Sequence, residues 1–154
     1  MGHHISAIVM AGEVDRESAS QFDVRIVDCL TGFTLIALDD HYVDAWAERL
    51  GISGPYADEP TLNFRVVHHI ANTLGDGRPF AIVETDYHGG QGAQAAAVYQ
   101  GEIELMSPAN ARSGVVNKAL RLIGVVRTVS LDEFDVLGLG SYRHWDDLFD
   151  DYWK

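Results

Sequence analysis

Residues 79–105, PFAIVETDYHGGQGAQAAAVYQGEIEL, contain three strand-like stretches separated by two short turns that carry glycine. Successive side chains of a strand point to opposite faces of a sheet, so such stretches suit strands with one or both faces covered. Turns of this length join antiparallel neighbours. The stretch therefore predicts an antiparallel three-stranded meander, and any fold of this chain has to accommodate it.

Other elements precede and follow the meander in uneven blocks. Short apolar stretches at 4–10, 24–29 and 33–39 predict further strands, the last two as a hairpin. Helical spacing of apolar residues predicts three helices, which run from Asp39 or Asp40 to Gly51, from Pro60 to Gly75 and from Ser113 to Gly124. The blocks do not form regular βαβ units. We therefore expect one α+β domain over residues 1–154, with a mixed or antiparallel sheet and three to four helices mainly on one side.

The C-terminal segment HWDDLFDDYWK, residues 144–154, combines aromatic residues with aspartates. At 100° per residue the two kinds of side chain occupy separate arcs of a helix. The apolar arc holds Trp145, Leu148, Phe149, Tyr152 and Trp153, and the acidic arc holds Asp146, Asp147, Asp150 and Asp151. This pattern predicts a terminal helix with its aromatic face on the domain and its acidic face in water.

The net charge of −12 is distributed unevenly along the chain. Residues 1–60 hold 11 acidic and 3 basic residues, residues 61–131 hold 5 and 6, and residues 132–154 hold 7 and 2. Such a field repels nucleic acid and anionic membranes, and it attracts a basic protein. The single cysteine, Cys29, and the absence of a long apolar run predict a cytoplasmic protein without a disulfide, a signal peptide or a membrane span.

The meander also holds the best candidate for a catalytic or metal site. Glu84, Asp86 and His88 share one face of the first strand, and carboxylates with an imidazole can bind a metal or transfer protons. Residues two apart on a strand are separated by about 6.5–7 Å at Cα, so neighbouring strands would have to supply further ligands. The next strand offers Gln94 and alanines instead. A polar, partly exposed end of the sheet is the simpler interpretation, and no cofactor is expected.

Two other patterns favour structural roles. His68 and His69 are adjacent, so on a helix they point about 100° apart, unlike the i, i+4 pair of a helical zinc site. We expect His68 on the apolar face of its helix and His69 in solvent. HGGQG, residues 88–92, lacks the GxxxxGK[ST] pattern of a phosphate-binding loop, and a hairpin turn explains its glycines.

Three stretches carry a resemblance to other proteins. ETDYHGGQGAQAAAVYQGE at 84–102, NKALRLIGV at 117–125 and LDEFDVLGLGSYRHWDDL at 131–148 resemble a group of small bacterial cytosolic proteins. Members of that group have no assigned activity, so the resemblance implies no catalytic residues. It implies a bacterial, cytoplasmic origin and a looser likeness to immunity proteins, which neutralise toxins.

These observations predict an acidic protein-binding module, most specifically an immunity protein that binds a basic toxin domain. Aspartates and aromatic anchors near the C-terminus would form the contact surface. Its predicted residues are Asp132, Glu133, Asp135, Asp146, Asp147, Asp150, Asp151, Tyr152 and Trp153. Two alternatives stay open: a small enzyme or metal-binding domain built on Glu84, Asp86 and His88, and a regulatory subunit that docks on a constitutive partner.

Overall fold

A computed structural model describes residues 3–28, 32–52, 64–88, 91–137 and 139. Within them the fold is α+β, with six strands and five helices. The strands are β1 (His3–Ala11), β2 (Arg25–Asp28), β3 (Phe33–Ala37), β4 (Pro79–His88), β5 (Gln91–Gln100) and β6 (Ile103–Ala111). The helices are α1 (Arg16–Gln21), α2 (Asp40–Leu50), α3 (Phe64–Gly75), α4 (Val115–Leu122) and α5 (Glu133–Val136).

All six strands belong to one antiparallel sheet with the order β2-β3-β1-β4-β5-β6. The predicted meander is confirmed as β4, β5 and β6, and the predicted hairpin as β2 and β3. The first strand of the chain lies at the centre, where Ile8 pairs with Ile36 of β3 and with Ile82 of β4. Its side chains are buried from Ile5 to Met10, which explains the unbroken apolar stretch in the sequence.

Helices cover both faces of the sheet, because the central strands are apolar on both sides. Ile8 and Ile82 pack with α1, α2 and α3, whereas Val9 and Val83 pack with α4 and α5. The two longest helices lie on the first face, in agreement with the expected bias to one side. The short helices α4 and α5 give the second face its own core, and we had expected neither α1 nor a separate α5.

Helix ends follow the predicted signals where the chain is described. The Asp39 side chain accepts a hydrogen bond of 2.7 Å from the Tyr42 N–H at the start of α2, and Gly51 ends this helix at φ 68°. The start predicted for the second helix, at Pro60, lies outside the described residues, as does Cys29. α4 begins at Val115 after Gly114, and Gln94 Oε1 of β5 accepts the Val116 N–H at 3.3 Å.

The adjacent histidines are placed as predicted on α3. His68 is buried and stacks on Tyr99, with ring centroids 4.1 Å apart, and its Nε2 lies 2.9 Å from the Gly101 carbonyl oxygen. His69 is exposed, and its ring meets the edge of Phe22. None of the helices in the described ranges has both the length and the apolar character needed to cross a membrane.

Candidate protein-binding site

The described part of the predicted contact surface is Asp132 with α5, and Asn117 of α4 makes two hydrogen bonds to it. Asn117 Nδ2 donates to Asp132 Oδ2 at 3.0 Å, and Asn117 Oδ1 accepts the Phe134 N–H at 2.9 Å. Asp132 is also the N-cap of α5, where its Oδ1 accepts the Asp135 N–H at 2.9 Å. A helix of only four residues has little stability of its own, so these contacts fix its position.

Glu133 is the second acidic residue of this helix, and it points inward. Its side chain is 1% exposed, with Oε1 at 3.0 Å from Arg121 Nε and Oε2 at 3.3 Å from an Arg127 guanidinium nitrogen. Both arginine side chains are more than half exposed. The carboxylate of Glu133 is therefore occupied by contacts within the chain. It holds α5 against α4.

The third acidic residue, Asp135, is exposed. Partial removal from water raises its pKa, and the neighbouring charge of Asp132 raises it further. The pKa of Asp132 is lowered, first by the hydrogen bond from the Asp135 N–H and then by Asn117 and Arg127. Burial opposes ionisation of Glu133, yet its hydrogen bonds and the two arginines together hold its pKa below the usual range. Asp135 is thus the exposed acidic group of α5, whereas Asp132 at the N-cap is half-buried and accepts hydrogen bonds on both carboxylate oxygens.

The other residues of the predicted surface belong to the C-terminal segment. They are Asp146, Asp147, Asp150, Asp151, Tyr152 and Trp153, and they lie outside the described residues. Leu139 is the last described residue, and it is buried in the core layer between the sheet and α4.

The alternative set on β4 is spread along the strand. Glu84 is buried opposite Ser6 of β1 and Ala95 of β5, whereas Asp86 is exposed. The backbone of His88 pairs with Gln91 at the end of the strand. The interpretation of a partly exposed polar end thus fits Asp86 and is wrong for Glu84, which is buried between two neighbouring strands. Across the described ranges, no three His, Cys, Asp or Glu side chains lie together as a metal site would require.

Sequence reasoning missed the basic residues that support α5. Arg121 and Arg127 reach Glu133 from α4 and from the loop that follows it. One signal for them was available: no acidic residue lies between Glu104 and Asp132, whereas Arg112, Lys118, Arg121 and Arg127 all do. A basic segment directly before an acidic one favours contacts between the two.

Comparison with known proteins adds no family, because no family model, curated protein or solved structure matches the chain.

Proposed function

We propose that this protein is an acidic protein-binding module and, more specifically, an immunity protein of a bacterium that neutralises a toxin by binding its basic domain in the cytoplasm. The observation that carries the proposal is the fixed position of α5, which exposes Asp135 next to the half-buried N-cap Asp132. They introduce the most acidic stretch of the chain, in which residues 132–154 hold 7 acidic and 2 basic residues.

The physical basis is electrostatic steering onto an ordered surface. A net charge of −12 attracts a basic domain over a distance of about a Debye length, which is roughly 10 Å at 0.1 M salt. The contacts from Asn117 fix α5 before binding, so little ordering entropy is lost there. Association should then be fast at low salt and much slower at high salt.

The ion pairs of Glu133 with Arg121 and Arg127 give the acidic residues of α5 different roles in this proposal. Asp132 and Asp135 would meet the partner directly, together with Asp146, Asp147, Asp150, Asp151, Tyr152 and Trp153. Glu133 would act through Arg121 and Arg127 by holding α5 against α4. A substitution of Glu133 should therefore weaken binding through loss of local order, and it should leave the salt dependence of the association rate largely intact.

The test begins with the tagged chain and lysate of the source organism at low and high salt. We expect one stoichiometric basic protein that is lost at high salt. That protein, produced alone in the cell, should be toxic, and co-production of this chain should restore growth. A stoichiometric partner without toxicity would replace the immunity hypothesis with a regulatory subunit, and the absence of any partner would refute the binding module.

Matched charge reversals then locate the surface. Asp135→Lys and Asp150→Lys should each slow association and flatten its salt dependence. Asp44→Lys makes the same charge change at an exposed position of α2, on the other side of the sheet, and should have a smaller effect. Equal effects of all three reversals would mean that only the net charge matters, and would remove α5 and the C-terminal segment from the interface.

A further inference from the structure

Exposed large apolar side chains in the described ranges lie on β6 and along the end of α4 with the loop that follows. The second group is formed by Leu122, Val126, Val129 and Leu131. Val126 is 77% exposed and Val129 is fully exposed, whereas Val125 between α4 and Val126 is buried. Such a concentration of apolar surface on one short stretch is typical of a contact site.

The loop that carries these side chains has a defined backbone. Thr128 Oγ1 accepts the N–H groups of Ser130 and Leu131, and the Thr128 N–H donates to the Leu131 carbonyl oxygen at 2.9 Å. Arg127 is tied to Glu133 just before this turn. The turn from Thr128 to Leu131, which carries Val129, is therefore ordered by hydrogen bonds.

Basic residues lie on α4 and in the loop that carries these apolar side chains, and Arg121, Val126 and Arg127 line one cleft. Lys118 is exposed on α4, and the guanidinium groups of Arg121 and Arg127 are more than half exposed. We call this surface the basic apolar face, and it comprises Lys118, Arg121, Leu122, Val126, Arg127 and Val129. Its chemistry fits an occupant that is both acidic and aromatic.

We propose that the occupant is the C-terminal segment of the same chain, residues 144–154, docked as an amphipathic helix on the basic apolar face. The segment combines five large apolar residues with four aspartates, which is the complementary chemistry. Leu139, the last described residue, is buried in the core layer that also contains α4. The docking concerns the chain itself and does not depend on the proposed function.

The connection is long enough for this arrangement. Residues 139–144 span up to about 17 Å when extended, and a helix of residues 144–154 is about 16 Å long, whereas α4 is about 12 Å long. A segment attached by so short a connection has an effective concentration in the millimolar range. Docking onto its own chain is therefore favoured over docking onto a second copy at ordinary concentrations.

A cleft in the basic apolar face offers a place for one aromatic ring. It has a volume of about 280 Å³ and is lined by Arg121, Gly124, Val125, Val126, Arg127 and Glu133. A ring in this cleft would lie beside two guanidinium groups, which attract the faces of aromatic rings. The same kind of contact occurs on α2, where the Arg49 guanidinium carbon lies 4.9 Å from the ring centroid of Trp46.

Docking would divide the aspartates of the segment into two pairs. On the helix that the spacing predicts, Asp146 and Asp151 border the aromatic arc, whereas Asp147 and Asp150 lie at the centre of the acidic arc. The bordering pair would face the basic groups of the basic apolar face. The central pair would remain in water and available to a partner. Asp146, Asp151, Tyr152 and Trp153 would reach a partner only when the segment leaves the basic apolar face.

Hydrogen exchange of the full chain, followed by mass spectrometry of peptides from residues 144–154, tests the proposal. We expect these amides to exchange at least several-fold more slowly than those of an unstructured peptide. Lys118→Glu and Val126→Asp should each abolish most of that protection, while protection of β4 stays unchanged. Arg16→Glu makes the same charge change as Lys118→Glu at an exposed position of α1, on the opposite face of the sheet, and should have no effect.

A charge exchange gives the test its specificity. Combining Lys118→Glu with Asp146→Lys or Asp151→Lys should restore part of the protection, since it replaces one attractive pair by another. Exchange of the segment at the rate of an unstructured peptide would overturn the proposal, as would protection that survives both Lys118→Glu and Val126→Asp. Protection that falls on dilution of the protein would assign the basic apolar face to a second copy instead.

Discussion

Glu133 of α5 and Arg121 of α4 are joined by an ion pair of 3.0 Å in which the carboxylate is buried and the guanidinium is largely exposed. The pair, with Arg127 on the other carboxylate oxygen, holds a four-residue helix against the second core layer. A buried charge without its partners raises the free energy of the folded state, so the position of α5 depends on the ionisation of Glu133.

Replacement of Glu133 by Gln should lower the free energy of unfolding at neutral pH. We expect a loss of about 1–2 kcal/mol, less than for a fully buried pair, because both arginines retain contact with water. Urea denaturation at pH 7 measures the loss, and Glu48→Gln at an exposed position of α2 is the control. An unchanged denaturation midpoint would mean that the pair contributes no stability.

The same variant should alter the acid dependence of stability. Since the pKa of Glu133 is lower in the folded chain than its usual value of 4.5, the unfolded chain binds more protons between the two values. Stability from Glu133 is thus fully present above about pH 4.5 and is lost as the pH falls through the folded pKa. Asp132 acts in the same direction and Asp135, with its raised pKa, in the opposite one. The difference between wild type and Glu133→Gln should shrink below pH 4.5, and a constant difference would contradict this linkage.

Gly92 and Gly101 provide a matched pair in the meander. Gly92 has φ 147°, and a Cβ there would overlap the carbonyl oxygen of Asp86, whereas Gly101 has φ 61° and open space around it. Gly92→Ala should cost about 3 kcal/mol or more, and Gly101→Ala about 1–2 kcal/mol from backbone strain alone. Thermal unfolding of both variants measures which one loses more stability. Equal losses would show that the backbone of β4 can move at Asp86 with little loss of stability.

The two adjacent histidines should respond differently to truncation. His68→Ala removes a ring that stacks on Tyr99 and contacts the Gly101 carbonyl, so we expect a loss of about 2–3 kcal/mol. His69→Ala removes an exposed ring and should cost about 0.5 kcal/mol. A comparison of their unfolding free energies tests the orientation of α3. Similar losses would contradict it.

Trp46 should contribute less than a fully buried tryptophan. It is partly exposed on α2, where its ring meets Phe22 edge to face at 5.2 Å and lies under Arg49. Trp46→Ala should therefore cost about 2 kcal/mol, below the 3–5 kcal/mol that is typical of core positions. A loss within the core range would mean that the helix buries this ring more deeply, and a negligible loss would place it in solvent.

Local signals account for the parts of the fold that were predicted correctly. The limits of α2 follow from Asp39 and Gly51, and the hairpins of the meander follow from short glycine turns between strand-like stretches. α1 was missed because its six residues are too short to show a helical period. The central place of β1 was not predicted either, since pairing of residues 3–11 with 33–37 and with 79–88 depends on contacts distant in the sequence.

The candidate site likewise combines features that local sequence signals predict with features that depend on distant contacts. Spacing, capping residues and charge act over a few neighbouring positions. For that reason the α+β class, the meander, the limits of α2 and the acidic character of the chain after Leu131 could be predicted from the sequence. The inward position of Glu133 and the exposure of Asp135 depend on contacts between distant residues, since Arg121 and Arg127 reach the Glu133 carboxylate only when α5 folds back onto α4. The same is true of Glu84, which is buried, and Asp86, which is exposed, because burial along a central strand depends on what packs over each position.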